Sequence, residues 1–66
     1  MRILLRDAVS GLYFCEPDAW TPETEQAQTF RHSAEAMDHA RQHGIERGEV
    51  ILDFDESRFS VALPLP

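Results

Sequence analysis

Ser33-Ala34-Glu35-Ala36-Met37-Asp38-His39-Ala40-Arg41-Gln42-His43-Gly44 decides how the rest of this 66-residue chain reads. The Ser33 hydroxyl is placed to accept a hydrogen bond from the free N–H groups of a first helical turn, and Glu35 lies where that turn favours an acid. Ala34, Met37 and Ala40, with Phe30 one turn earlier, recur at helical spacing and draw a narrow apolar stripe. Arg41 and His43 fall in the last turn, where cations are favoured, and Gly44 supplies a left-handed stop over which Ile45 folds back. The stretch predicts one helix over Ser33–His43. Its small residues predict that the helix lies close to a sheet.

Outward from the helix, the periodicity changes from 3.6 to 2. Downstream, Val50, Leu52 and Phe54 alternate with Glu49, Ile51, Asp53 and Asp55, the pattern of a half-buried strand over 49–55. Asp55-Glu56-Ser57-Arg58 reads as a turn. Phe59, Val61 and Leu63 then form a fourth strand, which Pro64-Leu65-Pro66 should stop. Upstream, Arg2–Arg6 and Leu12–Cys15 are two β-prone runs joined by Asp7-Ala8-Val9-Ser10-Gly11, a hairpin connection ending in a residue tolerant of positive φ. Glu16–Thr29 is acidic and holds two prolines. It reads as a long loop with one helical turn, capped by Thr21 with Pro22 first, and with Trp20 as its anchor in the core. The expected fold is a single α+β domain over residues 1–66: a small, mainly antiparallel sheet with one helix on one face, in the order ββαββ.

Composition narrows the function. Twelve acidic residues against six arginines and no lysine give a net charge of −6. Phosphate-based nucleic-acid binding needs clustered cations, and the arginines are scattered, so neither nucleic acid nor an anionic membrane surface is an expected partner. One cysteine excludes an intrachain disulfide framework and fits a reducing, cytoplasmic setting. Ile3-Leu4-Leu5 is too short for an export signal or a membrane span. A chain this short buries only about 60% of its unfolded surface and gains from a staple or a partner.

Leu5-Arg6-Asp7, Gly11-Leu12-Tyr13-Phe14, Trp20-Thr21, Ala27-x-x-Phe30, Ala36 and Leu63-Pro64 together resemble a group of small uncharacterised bacterial proteins. That group shares a Gly-Leu-Tyr-Phe hairpin, a Trp-Thr, an Ala-x-x-Phe before one helix, and a strand ending in Leu-Pro. The likeness runs along nearly the whole chain, but it is carried by packing and turn residues. It implies a fold and an independent small protein, and no activity.

Three constellations bear on chemistry. His39 and His43, at i and i+4, face one way, and His32 and Glu35 extend that stripe, so the four are the candidate ligands of a metal-responsive protein. The set is short of a structural zinc site, since Cys15 would have to come from a distant strand. Cys15 is followed by Glu16, and a neighbouring negative charge opposes the thiolate that catalysis requires. Glu49, Asp53, Asp55 and Glu56 lack the glycine and spacing of a calcium loop and read as a solvated strand face. No cofactor and no catalytic residue are expected.

The sheet itself is more informative. If Ile3, Leu5, Leu12, Phe14, Val50, Leu52 and Phe54 face the helix, then Leu4, Tyr13, Cys15 and Ile51, with Ala62, fall on the other face between Arg2, Arg6, Asp53 and Asp55. An apolar centre with a charged rim describes a protein interface, unless the acidic loop folds across it. The expectation is a non-enzymatic interaction module that forms a homo-oligomer or serves as accessory subunit to a larger protein.

Overall fold

Alternating β-branched and aliphatic residues on both sides of the helix build a five-stranded sheet. The computed structural model describes residues 1–16, 19–54 and 59–65, with Phe59 described in its backbone alone. Strand β1 is Arg2–Asp7, β2 Tyr13–Cys15, β3 Ala19–Thr21, β4 Gly48–Phe54 and β5 Phe59–Pro64, and the helix α1 spans Ser33–Gln42. The order across the sheet is β3-β2-β1-β4-β5, and every neighbouring pair is antiparallel. The α+β class and the single helix follow the sequence. The third strand does not: Ala19–Thr21 was expected within a loop, but its pairing with β2 (Tyr13↔Thr21, Phe14↔Trp20) makes it the sheet edge. The proposed turn at 55–58 lies outside the described residues.

β1 is central. Its register with β4 is continuous from Arg2↔Asp53 to Asp7↔Gly48, whereas with β2 it pairs only at Arg6↔Tyr13. Beyond that point the segment Gln28–Phe30 takes up the free backbone groups: Gln28 N–H donates to Phe14 O at 3.0 Å and Phe30 N–H to Ile3 O at 2.8 Å. Phe30 is thereby fixed beneath the helix. The connection 8–12 is closed by Gly11 N–H to Asp7 O, with Gly11 at φ +76°.

α1 packs across β1 and β4. The main core gathers Ile3, Leu5, Phe14, Phe30, Ala36, Ala40 and Val50, with Met37, Ile45, Leu52, Leu63 and Leu65 partly buried around it. The helix is rotated from its expected orientation. Ala36 and Ala40 are buried, while Ala34 is exposed. Its cap is also displaced by one residue, since His32 Nδ1 accepts from Glu35 N–H at 3.3 Å and Ser33 is the first helical residue. The C-terminus ends as the sequence indicates: Gly44, at φ +68°, donates to Arg41 O, and Ile45 N–H donates back to Ala40 O at 2.9 Å.

The acidic segment also departs from expectation. Its helical turn is a 3₁₀ turn at Thr24–Gln26, and Thr21 Oγ1 accepts from Glu23 N–H instead of capping a helix at Pro22. Trp20 is no core anchor. It remains 37% exposed, with its ring edge-to-face on Phe14 at 5.7 Å. β5 runs through Pro64, and Leu65 N–H still reaches Gly48 O, so the ladder extends past the expected stop.

Candidate functional site: the open edge and the uncovered face

On the face away from the helix, strand alternation places Leu4 beside Ile51, flanked by Arg2↔Asp53 on one side and Arg6↔Glu49 on the other. Leu4 is fully buried and Ile51 is 3% exposed. The cover comes from the chain itself. Arg2 pairs with Asp53 and donates through Nη1 to Thr24 O at 3.2 Å, drawing the 3₁₀ turn onto this face. Arg6 Nε donates to Glu49 Oε2 at 3.1 Å, and its guanidinium lies 5.9 Å from the centre of the Tyr13 ring. The hydrogen bond to Glu49, reinforced by one with Tyr13, raises the Arg6 pKa further above its already high value, against the smaller opposing effect of burial.

The four residues expected at an interface therefore divide. Leu4 and Ile51 are buried between the Arg2–Asp53 and Arg6–Glu49 pairs. Tyr13 and Cys15 are half-buried, and Ala62 is exposed. Asp53 and Glu49, expected on a solvated face, are partners of those arginines.

The structure brings two of the four candidate metal ligands, His39 and His43, side by side but does not gather the set into one site. His32 caps the helix, and Glu35 Oε1 accepts from Arg31 N–H at 3.3 Å. His39 and His43 stack face to face with ring centres 4.2 Å apart, and both lie against Phe14, at 4.6 and 5.6 Å. His39 also meets Phe30 edge-on at 5.4 Å. These imidazoles work as aromatic packing. Among the described residues no group of three or more His, Cys, Asp or Glu side chains is placed to hold a metal ion.

What periodicity did not single out is the edge. β5 closes one side of the sheet with six residues, Phe59-Ser60-Val61-Ala62-Leu63-Pro64, none of them charged. Val61, Leu63 and the following Leu65 are each only partly buried on or beside it. Edge strands are usually blunted by charge, by shortness or by a cover. β3, the opposite edge, is three residues long. The lack of charge in 59–64 was the available signal.

No helix among the described residues is long and apolar enough to cross a membrane. Comparison with protein-family models, with curated proteins and with solved structures finds no match to this chain.

Proposed function

We propose that this chain is a non-enzymatic protein-interaction module whose working form is an assembly. The observation that carries this reading is the uncharged six-residue strand β5 at the sheet boundary, whose Val61 and Leu63, with the following Leu65, are only partly buried. A backbone edge offers unpaired donors and acceptors to an incoming strand, and neighbouring apolar side chains supply the area that makes such pairing persist. The far face adds Tyr13 and Cys15 but little free apolar surface, because Leu4 and Ile51 are already covered. For a domain this small, burying such an edge against a partner is also the available route to further stability.

Sedimentation equilibrium over a wide concentration range tests the reading. The expected result is a mass that rises above the 7.6 kDa of one chain as concentration increases. A 7.6 kDa species at every concentration contradicts self-assembly.

A further inference from the structure

We propose that the occupant of the β5 edge is a second copy of this chain, with the two β5 strands pairing antiparallel about a two-fold axis at Ala62. The proposal rests on the interaction reading above and specifies both partner and register.

The phase of the existing ladder determines which groups are free. Leu65 N–H donates to Gly48 O at 3.2 Å, so Leu65, Leu63 and Val61 direct their backbone groups toward β4. Ser60, Ala62 and Pro64 direct theirs outward. Pro64 has no N–H to offer, and it stands where an edge strand tolerates proline. With the axis at Ala62, each Ala62 N–H meets the other Ala62 carbonyl, and each Ser60 N–H meets the second copy's Pro64 carbonyl. Every outward N–H of Ser60 and Ala62 is then paired, and the proline costs only the outermost bond.

Side chains agree with this register. On the helix side Val61 falls opposite the second copy's Leu63, in the close non-hydrogen-bonded spacing that favours aliphatic pairs. On the far side Ala62 meets Ala62, and Ser60 meets Pro64. Two chains of net charge −6 can approach closely only where no like charges are set opposite one another, and β5 carries none. Area decides what else takes part. A stable interface buries about 800 Å² per partner. A six-residue strand, about 20 Å long, falls short of that by itself. Leu65 and Met37, partly buried beside the strand, add apolar area to it. A closed two-fold arrangement satisfies both copies and leaves no further β5 edge exposed.

Two variants in the full chain test this. Ala62→Pro removes only an outward N–H and should weaken self-association about tenfold or more through its two lost hydrogen bonds, leaving the circular dichroism and thermal melt of the monomer unchanged. Ala62→Arg keeps the N–H but opposes two like charges at the axis, and it serves as the second variant should proline perturb the strand. In a Cys15→Ser background, Ala62→Cys should form an interchain disulfide under mild oxidation, because hydrogen-bonded partners stand about 5.5 Å apart, within disulfide range. Val61→Cys should not. Self-association that survives both Ala62→Pro and Ala62→Arg, or that cross-links through Val61→Cys instead, overturns this pairing while leaving the interaction reading intact. A chain that is monomeric throughout overturns this pairing and self-assembly together.

Discussion

The bond from Glu35 N–H to His32 Nδ1 shows how a single residue sets where α1 begins. Replacing His32 with Ala should cost about 1 kcal/mol, the usual loss for a cap, whereas Ser33→Ala should be close to neutral in thermal melts. A larger loss at Ser33 would return the cap to that residue. The sequence favoured Ser33 because hydroxyls outrank imidazoles as caps, and nothing in the spacing alone distinguishes the two. The same bias hid His39. Counted as polar, it left the apolar stripe on Ala34 and Met37; packed between Phe14 and Phe30, it belongs to the buried side with Ala36 and Ala40. Added Zn²⁺ should therefore leave the melting temperature nearly unchanged, since only a ligand that prefers the native state raises it. A large rise abolished by His39→Ala would establish a metal site. Gly44 was legible for a firm reason: its positive φ strains any β-branched replacement, so Gly44→Val should cost about 1–2 kcal/mol.

At the scale of elements, the strands were legible where one face is buried over several residues, as in β1 and β4. β3 was not, because three residues among acids and prolines carry no periodicity, and only the register with β2 makes them a strand. Phe30 was read as apolar, but the backbone pairing of Gln28–Phe30 with β1 and β2 left no sign in the sequence. That placement predicts that Phe30→Ala, which empties the space between Ile3 and His39, destabilises by about 3–5 kcal/mol in urea unfolding. The far face offers a sharper contrast. If the stems of Arg2 and Arg6 cover Leu4 and Ile51, Arg6→Met should be milder than Arg6→Ala, since methionine keeps the cover and loses the charge. Equal losses would assign the effect to the Glu49 pair alone, which at partial exposure is worth about 1 kcal/mol or less. Ile51→Glu, at a buried position, should disrupt folding itself and so makes a poor probe of assembly.

For the whole molecule, acidity and assembly oppose one another, and salt separates the possible partners. Two copies at −6 repel through the solvent, and at physiological ionic strength salt screens that repulsion beyond about 8 Å. Self-association through an uncharged edge should therefore tighten as salt rises, whereas docking to a basic partner should weaken. The central claim, that the outward backbone of β5 is closed by a second copy, is tested most directly by amide hydrogen exchange read residue by residue across a concentration series. Val61 and Leu63, bonded toward β4, should be protected throughout, while Ser60 and Ala62 should pass from fast to slow exchange as concentration increases. Fast exchange at Ser60 and Ala62 at every concentration, with Val61 and Leu63 still protected, would contradict it.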